Sequence, residues 1–164
     1  MLQKKICVLG AFGVGKTSLI RRYVQSIFSE AYLTTVGVKI DKKTLTVGAE
    51  EVTLLLWDVA GEDDVNAIRM SYVRGAAGYF LVVDGTRAET LEVARSIQAR
   101  VSAEIGPVPF MALLNKSDLQ ESWELPAPSL EALESAGWVI LRTSARTGDS
   151  VEAAFQELAK RMVS

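Results

Sequence analysis

The sequence predicts an α/β fold: three layers around a mostly parallel six-stranded sheet, with one antiparallel edge strand and about five helices. Three observations carry that reading. Short apolar runs alternate along the chain with segments of helical periodicity, which is the pattern of βαβ crossovers. One pair of runs is joined instead by the two residues Gly48-Ala49, which fits an antiparallel hairpin. The 164 residues carry 49% apolar residues, 18 Lys+Arg and 20 Asp+Glu, the balance of one ordinary globular domain, residues 1–164. A chain of this length buries about 70% of its unfolded surface, enough for a core without metal or disulfide staples.

Lys4–Leu9 reads as a buried strand, and residues 16–28 as a helix with Leu19, Ile20, Tyr23 and Ile27 on one face. Val38–Val47 and Glu51–Asp58 form the two arms of the hairpin. Gly78–Asp84 and Phe110–Asn115 are continuous β-rich runs, as expected of strands covered on both faces. Between them, Thr90–Glu104 places Leu91, Ala94, Ile97, Val101 and, just beyond, Ile105 on one stripe, so a helix should pack there against the sheet. Pro126–Ser135 reads as a short helix ended by Gly137, and Trp138–Thr143 as the last strand. Ser150 can cap a final helix that buries Val151, Ala154, Phe155, Leu158 and Met162. Ligands bind such sheets at the carboxyl ends of the strands, so the chemically useful residues should lie just after them.

The chain has no His, and Cys7 is its only Cys. That excludes Ser-His-Asp and Cys-His pairs, a His-ligated zinc and a cysteine cluster. It also fits a reducing compartment, because no intramolecular disulfide can form. A net charge of −2 gives no chain-wide attraction to nucleic acid, and none is expected as a partner. Lys4-Lys5 before the apolar run Ile6–Val14 resembles the start of a secretory signal, but Gly10 and Gly13 interrupt the run and no cleavage site follows. No stretch approaches the roughly 20 apolar residues of a membrane span. Neither a Met-Gly start nor a cysteine near Ser164 offers a lipid anchor, so a cytoplasmic location is expected. Arg21-Arg22, Lys39 and Lys42-Lys43 read as solvated surface, with a basic face for a partner or lipid headgroup as the alternative. Cys7 reads as a buried strand residue rather than a redox centre.

Gly10-Ala11-Phe12-Gly13-Val14-Gly15-Lys16-Thr17 matches GxxxxGK[ST] directly after a strand and before a helix. Glycines let backbone N–H groups converge on phosphate oxygens, and the helix that follows, with Ser18 in its first turn, adds the partial positive charge of its N-terminus. Lys16 can bridge the terminal phosphates, and the Thr17 hydroxyl can ligate Mg²⁺. The cradle alone leaves kinases, ATPases and GTPases open. Three more segments follow strands in order: Asp58-Val59-Ala60-Gly61, Asn115-Lys116-Ser117-Asp118 and Thr143-Ser144-Ala145. A carboxylate at Asp118 can accept both N1–H and the 2-amino group of guanine. Adenine offers it neither donor, and a site built on such bonds rejects the wrong analogue by about 10⁴ to 10⁵.

In this order these segments resemble the Ras-like small GTPase family, whose P-loop fold the element pattern matches. Leu56-Trp57-Asp58 and Thr35-Val36-Gly37 are most similar to its Rab branch. The resemblance spans Lys4 to Val163 and implies a guanine-nucleotide switch that binds GTP or GDP with Mg²⁺. It further implies that Asn115 faces the O6/N7 edge of the base, that the Lys116 stem lies along the ring, and that the Ala145 amide meets O6, with Ser144 and Arg146 in the same segment. Phe28 matches the aromatic that packs on the base. Thr35 matches the hydroxyl that completes Mg²⁺ coordination when the terminal phosphate is present. Asp58 matches the carboxylate that holds Mg²⁺ through water, and Gly61 the amide on that phosphate. Lys16, Thr35, Gly61 and residue 62 thus form the implied catalytic set, with Thr17, Thr35 and Asp58 at the metal. Effectors and regulators would bind through the segments near 30–40 and 58–75.

Three positions depart from the family pattern. Glu62 stands where the family has its water-positioning glutamine; a carboxylate cannot donate to phosphate and beside one would repel it, the alternative being that Glu62 points to solvent in its loop. Phe12 stands where the family usually has Gly or a small or polar residue; its ring should either lie over the terminal phosphates, in the space an arginine finger enters, or fold back on the switch segments as packing. Gly85, in Asp84-Gly85-Thr86, replaces a bulkier residue. The chain therefore reads as a switch with slow GTP hydrolysis, against two alternatives. One is a guanine-nucleotide-dependent binding module without useful turnover. The other is a kinase on the same cradle, which Asp118 and the short loops oppose.

Overall fold

The computed structural model describes residues 2–11, 13–24, 32–33, 39–59 and 70–163. The chain runs β1 (Leu2–Gly10), α1 (Lys16–Val24), β2 (Tyr32–Leu33), β3 (Lys39–Val47), β4 (Glu50–Asp58), β5 (Gly78–Asp84), α2 (Glu89–Ile105), β6 (Phe110–Asn115), α3 (Ala127–Ser135), β7 (Ile140–Arg142) and α4 (Val151–Val163). Strand order across the sheet is β2-β3-β4-β1-β5-β6-β7. The six main strands are the mixed sheet expected, with β3 antiparallel to β4 and the others parallel. β2, which was not anticipated, adds two residues antiparallel to β3 at the edge. Four α-helices lie among the described residues. The part of the first expected helix beyond Val24, including Ile27 and Phe28, falls outside them.

Every residue of β5 is buried, and the reason is that its two faces meet two different cores. Phe80 and Val82 join Ile6, Val8, Leu54 and Leu56 under α1 and α4. Tyr79, Leu81 and Val83 join Cys7 and Leu9 under α2, with Leu91, Ala94, Ile97 and Val101. The continuous apolar runs are thus strands covered on both sides, and the helix stripes are the covers. Cys7 is fully buried; removal from water pushes its thiol up to about 12, which makes it a packing residue. The first core is knitted by rings: Tyr23 of α1 stacks on Phe155 of α4 at 3.9 Å, and Phe155 meets Phe80 edge-on at 4.8 Å.

The parallel register brings the carboxyl ends of β1, β5 and β6 level. Gly10 pairs with Val82, and Asp84 pairs with Asn115. Asp84 closes β5 as a buried knot. Its Oδ1 accepts from the Thr86 amide and hydroxyl at 2.9 and 2.6 Å, and its Oδ2 from Lys116 Nζ at 2.7 Å and Arg87 Nε at 3.1 Å. Burial alone would raise this carboxyl. The bonds from Lys116, Thr86 and Arg87 outweigh it and hold the group at about 2.

Two stability predictions follow from these contacts. Phe155→Ala removes the shared ring of the stack and should cost about 3–5 kcal/mol in urea unfolding. For Asp84, a folded-state pKa below the unfolded value of about 3.9 means stabilisation that is complete above that value and lost as pH falls toward 2. Asp84→Asn should therefore be clearly less stable than the parent at pH 7, and the gap in urea midpoint should narrow between pH 4 and pH 2.

Candidate functional site

Four segments converge at the carboxyl end of the sheet: residues 10–11 and 13–15 after β1, Asp58-Val59 at the end of β4, 115–119 after β6 and 143–147 after β7. In the first, Gly10 ends β1, the Ala11 and Val14 side chains enter the core, and Gly13 and Gly15 have φ of +75° and +100°. Gly15 is required twice over. Its backbone is left-handed, and a Cβ there would lie 2.3 Å from Asn115 Nδ2. Lys16 opens α1 as a buried cation, and Gly15 O accepts from the Leu19 amide at 2.9 Å to start the helix. Ser18 is exposed beside it.

Thr17, on the first turn of α1, donates its hydroxyl hydrogen to Asp58 Oδ2 at 2.5 Å. The two elements that meet here are far apart in sequence but share the first core, through Leu19 and Ile20 of α1 and Leu54 and Leu56 of β4. The pair offers one hydroxyl and one carboxylate, and Asp58 is itself buried. Hard oxygen donors of this kind suit Mg²⁺, which binds proteins through one or two carboxylates and hydroxyls plus phosphate oxygens. The residues present therefore fit the ion that the sequence implies.

The Asn115-Lys116-Ser117-Asp118 segment is held from beneath. Asn115 is buried at the end of β6. Its Nδ2 donates to Val14 O at 2.9 Å, and its Oδ1 accepts from the Ala145 amide at 3.2 Å and the Thr143 hydroxyl at 3.4 Å. Among the described residues its other Nδ2 hydrogen meets no acceptor. The Ala145 N–H expected at O6 is directed to Asn115 here. Lys116 takes φ +67°, turning the chain out of the strand, and its Nζ reaches Asp84 and, at 3.4 Å, Gly13 O. Asp118 Oδ1 accepts from Ser144 Oγ at 2.7 Å, while Arg146 lies 3.9 Å from Oδ2. Ser144 Oγ also accepts from the Thr147 amide at 3.1 Å, which fixes the hydroxyl's direction toward Asp118.

Gly15, Ser18, Asn115, Lys116, Asp118, Leu119, Ala145 and Arg146 enclose one cleft of about 370 Å³. Seven of these eight were singled out from the sequence. Leu119 was not; it is 40% exposed, and its only sequence signal was an apolar residue directly after Asp118. Phe12, Phe28, Thr35, Gly61 and Glu62 lie outside the described residues. Among the described residues, no group of three or more Cys, Asp or Glu is placed to hold a metal on its own, and no helix is long and apolar enough to cross a membrane.

Residues 5–164 match the family model described as Ras family. Ras-related protein Rab5A of Oryza sativa subsp. japonica is 34% identical over 161 residues, 97% of this chain and 79% of that protein. Ras-related protein Rab-25 of Homo sapiens is 34% identical over 160 residues, 96% of this chain and 75% of that protein. Ras-related protein RABF2b of Arabidopsis thaliana is 32% identical over 163 residues, 98% and 82% of the two chains. A family match over nearly the whole length, with Rab relatives above 30% identity, establishes that this chain belongs to the Ras family of small GTPase switches.

Proposed function

We propose that this chain is a Mg²⁺-dependent guanine-nucleotide switch that hydrolyses GTP slowly and signals by binding partner proteins through the segments near 30–40 and 58–75. One observation carries the reading: the guanine-matching carboxylate Asp118 and the oxygen pair Thr17–Asp58 are served by loops that share the Asn115 carboxamide and the 10–15 cradle. With guanine in the 370 Å³ cleft, the Asp118 carboxylate accepts N1–H and the 2-amino group, the free Nδ2 hydrogen of Asn115 meets N7 or O6, and the Ala145 amide transfers its hydrogen bond to O6. Leu119 and the Lys116 stem cover the ring faces. The amides of residues 13–17 and the buried Lys16 bind the phosphates, and Thr17 and Asp58 hold Mg²⁺, which neutralises phosphate charge when bound. Lys16 and the cradle amides then supply charge stabilisation for phosphoryl transfer, with Thr35 and Gly61 sensing the terminal phosphate.

Glu62 and Phe12 favour a second reading, a module that binds GTP or GDP and turns it over too slowly to matter. Single-turnover phosphate release separates the two. Intrinsic hydrolysis should be no faster than the order of 10⁻⁴ s⁻¹ typical of unassisted Ras. Glu62→Gln should raise it where the carboxylate faces phosphate; an unassisted parent rate near 1 s⁻¹ contradicts both readings. For the base, Asp118→Asn should shift preference from guanine toward xanthine, because an amide can donate to the 2-oxo group. Competition titrations against a fluorescent guanine nucleotide measure this, and unchanged GTP affinity in that variant removes the assignment of Asp118. Identifying the nucleotide released on denaturing freshly purified protein tests the class as a whole, with GDP or GTP expected at near one per chain.

A further inference from the structure

The loop that carries Asp118 is fastened at both ends to one short turn, residues 84–88. At its start the Lys116 ammonium pairs with Asp84 at 2.7 Å. At its far end the Glu124 amide donates to Gly85 O at 2.8 Å, and Glu124 Oε1 accepts from the Ala88 amide at 2.9 Å, at the head of α2. Between these bonds Trp123 fills a notch. A Cβ on Gly85 would stand 2.0–2.4 Å from three carbons of the indole, so ring and side chain cannot share the space. The Arg142 guanidinium lies 5.0 Å from the ring centroid on β7, which ties the same indole to the last strand.

Two further facts assign the ring its task. Leu119, the loop's other large apolar side chain, is exposed, so the apolar packing of residues 116–124 rests on Trp123. The indole N–H is buried with no hydrogen-bond partner among the described residues. A buried N–H without an acceptor is unfavourable, so the ring is held for its shape rather than its polarity.

We infer that Trp123 is a positioning residue for base recognition: seated on Gly85, it holds the 116–124 loop so that Asp118 keeps its place in the cleft, and thereby sets nucleotide dwell time and guanine selectivity. The inference rests on reading that cleft as the guanine site.

The test uses full-length, nucleotide-loaded protein and two readouts: release of a fluorescent GDP, and the ratio of GDP to IDP affinity. IDP lacks the 2-amino group, so the ratio reports how well Asp118 is placed, whereas general destabilisation weakens both ligands alike. Trp123→Ala should release GDP about tenfold faster and lower the ratio several-fold, magnitudes ordinary for a coupled contact. Gly85→Ile should do the same by expelling the ring. Trp123→Phe, which keeps a ring and removes the unpaired N–H, should stay close to the parent in both readouts. Combining Gly85→Ile with Trp123→Ala should release GDP more slowly than Trp123→Ala alone, because the new side chain fills the notch. An unchanged GDP:IDP ratio in Trp123→Ala and Gly85→Ile overturns the inference. Should Trp123→Ala fail to fold, Gly85→Ile against Trp123→Phe decides by the same ratio. A parent protein with no preference for GDP over IDP overturns the guanine reading beneath it instead.

Discussion

The Asn115 carboxamide is the tie on which the rest of the site depends. Its nitrogen must face Val14 O, which can only accept, and its oxygen must face the Ala145 amide, which can only donate. The side chain therefore has one satisfying orientation, and that orientation joins the loops after β1, β6 and β7 at a single buried point. Gly15 is part of the same constraint, since any side chain there would stand in the amide's place. Aspartate at 115 would lose the donor to Val14, and a shorter residue would span neither gap. The cleft is built above this tie: Lys116 and Asp118 lie one and three residues after Asn115, Ser144 precedes Ala145, and Val14 sits within the glycine-rich loop that leads into Lys16 and Thr17.

Asp84 performs a related task one strand away. It gathers Thr86, Arg87 and Lys116 around one buried carboxylate, so the β5–α2 turn and the Asn115–Asp118 segment are fixed to each other. A buried charge of this kind persists because every lone pair that faces protein is met, and it would be costly if one partner were removed. The two ties are adjacent, since Asp84 and Asn115 are register partners on β5 and β6. The floor of the site is therefore formed by strands rather than by loops alone.

What the sequence made legible was what lies in consecutive residues. The cradle, the Asn-Lys-x-Asp segment and Thr143-Ser144-Ala145 are short words with fixed internal spacing, and the central strands between them are short apolar runs. The hairpin, the two cores and the helix stripes follow from period and alternation. The contacts that hold those words together are of another kind. Asn115 reaches across 101 residues to Val14, and Lys116 across 32 to Asp84; no local pattern encodes which of several polar residues will meet. Gly85 shows the limit most clearly. It stood out as an oddity in its turn, and its explanation lies in Trp123, 38 positions later, whose own neighbours in sequence are Ser and Glu. Two-residue β2 was missed because it is too short to have a period. Leu119 was missed because one apolar residue after a motif does not distinguish a cleft wall from a surface leucine.

The placement of the three tryptophans gives the protein an optical map of itself. Trp57 is the residue before Asp58, with the Lys5 ammonium 3.7 Å from its ring centroid. Trp123 sits on Gly85 with Arg142 beyond it. Trp138 lies at the opposite end of the sheet, before β7, edge-on to Phe110 at 5.3 Å. An indole's emission colour and yield follow the charges and solvent around it, and each of these rings has a different cation or ring for a neighbour. Intrinsic emission from this chain is therefore a sum of three spatially separate reporters, one beside the Lys5 ammonium on the α2 face of the sheet, one on Gly85 in the 116–124 loop and one edge-on to Phe110 before the last strand. Single-tryptophan versions would let events around β4 and events in the 116–124 loop be timed independently, without attaching a dye.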